Sequence, residues 1–225
     1  MMEATFPHLV GWRSVRFWPE GLALTPQQSL SGTDTIIPTM RWRWKATAEL
    51  VFHGEGGYLQ WQAFLAQMEG MLGTTLVPCF TRHRPRDRQG RVVSFGRTAG
   101  LADAQTVEHF GFDAAPLRQV VTAAASPLRS TELDVDLLNI IDLRPGQYFS
   151  VGERLHQIQN HWEPAPGAHR IRFHPPLREA VAKGALVEVA RPVCKMRFTT
   201  ETEGQFPQDH AEFAPKVTVN FTEAL

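Results

Sequence analysis

The chain has 225 residues, which is the size of one large domain or two small ones. Lysine and arginine together number 23, as do aspartate and glutamate, so the formal net charge is zero. This balance excludes an overall field that would attract nucleic acid or an anionic membrane. We therefore expect any partner to be selected by local shape and local charge.

Sixteen prolines and seventeen glycines break the whole chain into short pieces, which is typical of a β-dominated protein. Residues 9–24 alternate aromatic and polar positions, and residues 25–33 predict a polar loop. We interpret residues 1–40 as strands with a partly extended N-terminal arm, within a single domain that spans residues 1–225. The clearest predicted strand is 40–52, whose apolar positions share one face: Trp42, Trp44, Ala46, Ala48 and Leu50.

One long helix is predicted at residues 58–72, after Gly56 and Gly57 end the preceding strand. Its apolar residues recur at helical spacing, and Gly73 is the predicted stop. A helix with one apolar face has to lie on something, most simply a sheet. The predicted stripe comprises Trp61, Phe64, Leu65, Met68 and Leu72.

The segment from Arg82 to Arg91 is the one dense basic cluster of the sequence, and it follows a predicted strand at 76–80. Clustered arginines suit phosphate contact. The segment also contains Pro85 and Gly90 and lacks interleaved aromatic residues, which favours a solvated hairpin loop or a rim that contacts acidic neighbours. Residues 82–131 form a variable insertion or loop region, with a short helix predicted at 113–125.

The second half of the chain predicts further strands. Leu133, Val135 and Leu137 alternate with acidic residues, and a closing strand covers 216–223 after a polar linker at 200–215. The predicted fold class is mainly β, a sandwich or split barrel of antiparallel strands with one main helix. Two cysteines, Cys79 and Cys194, fit no metal spacing and are expected as buried thiols in a reducing compartment.

No catalytic motif stands out: the sequence lacks GxSxG, GxxxxGK[ST], HExxH and GxGxxG. The glycine-rich run at 54–57 lacks the lysine and hydroxyl residue of a phosphate-binding loop, so we expect it to be a strand-to-helix turn. We therefore predict no enzyme, no catalytic residue and no cofactor.

Two histidine pairs and one carboxylate face are the candidate metal ligands. His156 and His161, like His169 and His174, are five residues apart, and an odd spacing sends side chains of a regular strand to opposite faces unless a bulge intervenes. Glu132, Asp134 and Asp136 share a face that suits calcium, or more simply is the wet side of a half-buried strand. We predict no metal site.

Arg178 follows Pro175, Pro176 and Leu177 at the start of a short helix predicted over residues 177–183 and closed by Gly184. Its side chain has two possible roles that the sequence leaves open. It either bridges to a neighbouring subunit or forms a local salt bridge with Glu179 or Glu188.

The run from Leu143 to Phe198 resembles the C-terminal half of distal tail proteins, a tail-tip family of long-tailed bacteriophages and prophages. The likeness rests on a strand, glycine-turn, strand series, then Pro175-Pro176-Leu177-Arg178 and a last strand after Pro192. Further upstream, the loop from Ser29 to Thr33, the Arg41-Trp42 strand and the helix with Trp61 extend the resemblance. Residues 82–131 depart from the family pattern.

The resemblance implies a tail-tube-like fold of two packed antiparallel sheets flanked by one helix. It also implies a homo-oligomeric ring, a hexamer, that joins the tail tube to the hub. Partners would be further copies of the chain, the tail tube protein and the tail hub or tip proteins. The location would be the virion tail, assembled in the host cytoplasm. The sequence itself has no long apolar run and no net charge, so we expect neither membrane insertion nor specific nucleic-acid binding. Whether DNA passes through the lumen stays open.

Six tryptophans and fourteen phenylalanines exceed what one small core needs, which favours apolar surface between subunits. Our candidate interface residues are Trp12, Phe17, Trp18 and Arg178. One alternative is another ring of the same tail, such as a tube terminator or minor tail protein. An alternative of another class is a carbohydrate-binding module that stacks sugars on Trp42, Trp44 or Trp162.

Overall fold

The computed structural model describes residues 3–21, 23, 27–28, 34–37, 39, 42–81, 83–86, 90, 92, 120–138, 140–205 and 216–225. Most of the predicted 25–33 loop, residues 93–119 of the predicted insertion and residues 206–215 of the predicted linker lie outside this part. The described chain is mainly β with one helix, which confirms the predicted fold class. The elements in chain order are β1 Val10–Glu20, β2 Gln27–Gln28, β3 Asp34–Thr35, β4 Arg43–Phe52, α1 Gly54–Met68, β5 Thr75–Pro78, β6 Val120–Thr122, β7 Glu132–Leu137, β8 Tyr148–Val151, β9 Arg154–Ala165, β10 Ala168–His174, β11 Val187–Glu188, β12 Val193–Phe198 and β13 Lys216–Glu223.

The chain groups into two compact units, where the sequence predicted one domain. The first unit contains Met1–Val77 and Lys195–Leu225, and the second contains Pro78–Cys194. A five-stranded sheet with the order β1-β4-β13-β12-β5 organises the first unit. Its predicted strand around 40–52 is confirmed as β4, because the five apolar side chains of its core face are all 4% exposed or less. The closing strand is confirmed as β13.

Helix α1 covers the core face of this sheet, as the apolar stripe predicts. Trp61 and Phe64 are 0% and 2% exposed, and both rings pack against Phe6. Phe52 of β4 meets Trp61 with ring centroids 5.6 Å apart, and Phe198 of β12 meets Phe64 at 6.1 Å. Burial of these large rings stabilises the first unit.

The predicted ends of α1 are wrong by four residues on each side. The helix begins at Gly54, whose φ of 67° turns the chain directly after β4, so Gly56 and Gly57 are helical residues instead of a turn. It ends at Met68 because Glu69 and Gly70 both have positive φ, at 45° and 65°. Leu72 therefore lies beyond the helix and is 70% exposed.

The second unit is built on a six-stranded sheet with the order β11-β8-β9-β10-β7-β6. The sheet curls until its two edges meet, since Val121 bridges Leu186 and the Thr122 amide donates to the Ala185 carbonyl over 3.0 Å. The result is a nearly closed barrel. Its interior is apolar and includes Leu133 and Val135, which confirms the alternation predicted for β7.

Two predicted short helices are wrong where the structure describes them. Residues 120–122 of the predicted 113–125 helix form β6, and all three are buried. Residues 177–183 run alongside residues 126–130 instead of coiling, because the Leu177 amide donates to Ser130 and the Val181 amide donates to Ser126. Backbone bonds to a neighbouring segment thus replace the internal bonds of a helix.

Candidate subunit interface

Strand β1 lies at an edge of the five-stranded sheet, where β4 is its one partner among the described strands. It is eleven residues long, and its register with β4 runs from Val10 opposite Phe52 to Glu20 opposite Arg43. A long edge strand presents backbone donors and acceptors to which another strand can pair. Because exposed edges of this length promote association, β1 is the first candidate for contact with another chain.

Two of the predicted interface residues, Trp12 and Phe17, lie on the core face of β1. They stand opposite Leu50 and Ala46, which are both 0% exposed. Trp12 stacks on Phe6 with ring centroids 4.0 Å apart, and Phe17 meets Trp44 edge-on at 6.2 Å. Both rings are half-buried, so part of the aromatic surplus is used inside the first unit.

The third aromatic residue, Trp18, lies on the other face of β1. It stands opposite Lys45, and its neighbours along that face, Arg16 and Glu20, are exposed and charged. Glu20 pairs with Lys45 at 2.8 Å. Trp18 is thus a half-buried aromatic residue on an otherwise polar face of β1.

Arg178 belongs to the second unit, whereas the three aromatic residues belong to the first. The two acids predicted as its local partners make other contacts. Glu179 approaches Arg154 at 3.8 Å, and the carboxylate of Glu188 accepts the backbone amides of residues 190 and 191. Arg178 lines a cavity of about 310 Å³ together with His156, which we call the His156 cavity. It is bounded by residues 151–154, His156, residues 177–182 and Ala185.

The described part of the basic segment, residues 83–86, lines a separate cleft of about 410 Å³. Arg86 bridges Val92 in antiparallel fashion and donates from Nη1 to the Gly90 carbonyl at 2.8 Å, as a hairpin would. Buried Gln147 holds the segment in place by donating from Nε2 to the His83 carbonyl at 3.0 Å. Arg82 and Arg91 lie outside the described residues.

The prediction that His156 and His161 point to opposite faces is wrong, because β9 contains a bulge. Phe173 pairs with Ile158 and Arg172 pairs with Asn160, so Gln159 is skipped and the alternation reverses there. His156 and His161 therefore both face the barrel interior. On the regular strand β10 the alternation holds, since His169 faces the interior and His174 the other side.

The bulge brings His161 to His169 instead of to the other predicted ligands. His161 Nε2 lies 3.2 Å from His169 Nδ1, and His161 Nδ1 lies 3.0 Å from Asp142 Oδ1. Glu163 is 3.5 Å from His169. Because a carboxylate accepts only, the neutral arrangement has His161 Nδ1 donating to Asp142 and His169 Nδ1 donating to His161 Nε2.

The acidic face of β7 is partly neutralised by β10. Asp134 forms a bidentate ion pair with Arg170 through contacts of 2.5 and 3.0 Å, and Glu132 stands opposite Arg172. Hydrogen bonding to Asp134 raises the pKa of the Arg170 guanidinium. Within the described ranges, no group of three or more His, Cys, Asp and Glu side chains is placed to hold a metal ion.

Two of the three tryptophans that a carbohydrate-binding module would use for stacking are too buried to contact a sugar. Trp42 and Trp44 are 4% and 2% exposed, because Trp44 lies on the buried face of β4 and Trp42, directly before that strand, packs against it. Their indole rings are 5.9 Å apart at an angle of 73° and pack edge-on. Trp162 on β9 is half-buried.

A scan against protein-family models and a search of curated proteins find nothing that matches this chain. Across the residues that the structure describes, no helix has both the length and the apolar character needed to cross a membrane.

Proposed function

We propose that the protein is a structural component of the tail of a long-tailed bacteriophage or prophage, forming a homo-oligomeric ring at the tail tip that joins the tube to the hub. Two considerations support this role. The run from Leu143 to Phe198 resembles distal tail proteins, and the fold is mainly β with antiparallel sheets and one helix, as the resemblance implies. A ring subunit works through contact area between copies, so it requires no catalytic centre.

The observation that carries the proposal is the edge strand β1 with Trp18 on its polar face. A strand from a neighbouring copy that pairs with β1 satisfies its outer backbone groups. The same neighbour covers the indole of Trp18, and buried tryptophans are among the side chains that contribute most to association. Trp12 and Phe17 then act indirectly, by holding β1 against the core of its own unit.

Mass photometry of the purified protein over a range of concentrations tests the ring. We expect a discrete species at several times 25.3 kDa, six times by the resemblance. Trp18→Ser should shift the protein toward the monomer while circular dichroism and the melting temperature change little. Leu72→Ser is the matched control, because Leu72 is 70% exposed and lies away from β1 in sequence. Oligomers that persist unchanged in Trp18→Ser would remove β1 as the interface.

The tail assignment needs a separate experiment on particles. After prophage induction of the source strain, we expect gold-labelled antibodies against the protein to decorate one end of the tails in negative-stain images. Mass spectrometry of gradient-purified particles should detect the protein at a few copies per tail. Its absence from purified particles would overturn the tail role even if the protein forms a ring.

A further inference from the structure

His156 has a buried ring nitrogen that forms no hydrogen bond within the described part of the protein. The residue is 0% exposed, and its ring stacks on Phe149 at 5.2 Å and meets Phe173 edge-on at 5.0 Å. Nδ1 lies 2.8 Å from the Pro175 carbonyl oxygen. Because a carbonyl only accepts, Nδ1 carries the proton and Nε2 presents a lone pair. Nε2 is buried and has no hydrogen-bond partner in the structure.

Such a nitrogen calls for an explanation, because buried polar atoms in folded proteins are almost always hydrogen-bonded. His156 lines the His156 cavity, whose volume of about 310 Å³ is ample for a small ligand with several waters. The cavity walls combine apolar side chains, such as Val151, Leu177 and Val181, with charged ones. A ligand in this space can supply the hydrogen that Nε2 lacks.

The charges that act on His156 are cationic. The pKa of its imidazole is lowered to about 4, chiefly by burial; the bond to Pro175 opposes the shift, and the charges of Arg178, Arg154 and His174 add to it. The ring is therefore neutral at physiological pH and accepts at Nε2. The side chain of Arg154 is 17% exposed, whereas the carboxylate of its partner Glu179 is 76% exposed and lies 3.8 Å away. Two carboxylates, those of Glu153 and Glu179, also line the cavity.

We propose that the His156 cavity binds a tetrahedral oxyanion that keeps an O–H group at neutral pH, of which hydrogen phosphate is the simplest. The guanidinium groups of Arg154 and Arg178 neutralise the anionic oxygens. The remaining O–H group donates to Nε2 of His156, which satisfies the buried acceptor. An anion without a proton cannot make that last bond and leaves Nε2 unsatisfied. This site is independent of the proposed ring.

Hydrogen phosphate and sulfate provide the test, because both are tetrahedral dianions at mildly alkaline pH and only phosphate carries a hydrogen. Isothermal titration calorimetry at matched ionic strength should give an affinity for phosphate about tenfold or more above that for sulfate, the ratio expected for one buried hydrogen bond. Equal affinities, or no binding of phosphate, would overturn the proposal. In the second case water fills the cavity and satisfies Nε2.

Variants separate the two recognition elements. His156→Phe should bring the phosphate-to-sulfate ratio close to one and leave sulfate binding nearly unchanged. Arg178→Met should lower the affinity for both anions by about tenfold. Arg172→Met is the matched control, since Arg172 is exposed on β10 and lines neither the His156 cavity nor the cleft at residues 83–86. This variant should bind both anions with wild-type affinity.

A spectroscopic readout keeps the proposal testable if His156→Phe does not fold. In the wild-type protein, the ¹⁵N resonance of His156 Nε2 should move upfield on titration with phosphate as the nitrogen accepts a hydrogen bond, and it should stay in place with sulfate. A resonance that is insensitive to both anions, or equally sensitive to both, would overturn the assignment of Nε2 as the proton acceptor.

Discussion

The indole Nε1 of Trp61 donates a hydrogen bond of 2.9 Å to the backbone carbonyl of Gly204. The same indole occupies the space beside the glycine, because a Cβ on Gly204 would stand 2.6 Å from Trp61 Cζ2. Helix α1 is thereby attached to the turn after β12. The attachment combines the hydrogen bond with the close packing of the indole ring on Gly204, which only a residue without a side chain allows. A glycine is required there also by its φ of 75°.

Gly204→Ala should lower the free energy of unfolding by about 3 kcal/mol, since it adds a clash with a buried ring to the cost of positive φ. Gly70→Ala is the control in the same unit, with a φ of 65° and ordinary contacts of 3.5 Å to Glu201. It should cost only about 1 kcal/mol. Urea denaturation of both variants measures the difference, and equal losses would exclude the clash.

Phe64→Ala should cost about 3–5 kcal/mol, because the ring is 2% exposed beneath α1 and its removal leaves a cavity. Gln62→Ala and Leu72→Ala should each change stability by less than about 0.5 kcal/mol, since both side chains are exposed. Thermal melts of the three variants check this order. A large effect at Leu72 would restore the longer helix that the sequence predicts.

Acid should destabilise the protein partly through His156. Above pH 6.5 the imidazole is neutral in both the folded and the unfolded state, so it adds no pH dependence to the free energy of unfolding. Below pH 6.5 the unfolded chain binds a proton that the folded chain excludes until its own pKa of about 4. Stability should thus fall by about 1.4 kcal/mol per pH unit across this window, about 3 kcal/mol in all. Urea melts of wild type and His156→Phe at several pH values measure the difference in slope, and parallel curves would contradict it.

Cys79 and Cys194 form no disulfide and are both buried, as predicted, and burial raises the pKa of the Cys79 thiol to about 12. A thiol-specific reagent needs the thiolate, so neither cysteine should react in the folded protein near neutral pH. In denaturant both should react at the rate of free cysteine. Labelling followed by intact-mass measurement checks this, and rapid modification of the native protein would show that a thiol is open to solvent.

The parts of the fold that the sequence predicts well are those with a strict period. The alternation from Trp42 to Leu50 identifies a half-buried strand because one face of β4 is fully enclosed. The ends of α1 are harder, since positive φ at Glu69 stops the helix before the expected glycine. Residues 177–181 resemble a helix start by composition, yet hydrogen bonds to residues 126–130 impose an extended path.

The candidate sites depend on events that local sequence signals do not carry. The skipped residue Gln159 reverses the facing of the side chains from Asn160 to Trp162 on β9, so the meeting of His161 with His169 could not be inferred from their spacing. The sequence singled out His156 only as a candidate metal ligand, because its burial depends on contacts with Phe173 and Pro175 from another part of the chain. The burial of Trp42 and Trp44 was contained in the alternation of β4, which had already placed both on its apolar face.

Closure of the six-stranded sheet through Val121 and Leu186 determines which strand edges of the protein remain open for pairing with another chain. Every described strand of that barrel has a neighbour on each side, so the second unit offers few unpaired backbone groups with which a strand of another chain could pair. The first unit retains β1, and the bridge between Glu3 and Thr74 shields the beginning of β5 at the opposite margin. Two copies that meet through β1 alone would form a closed, symmetric pair. Propagation around a ring therefore requires β1 to engage a second, dissimilar surface, which gives the assembly a direction.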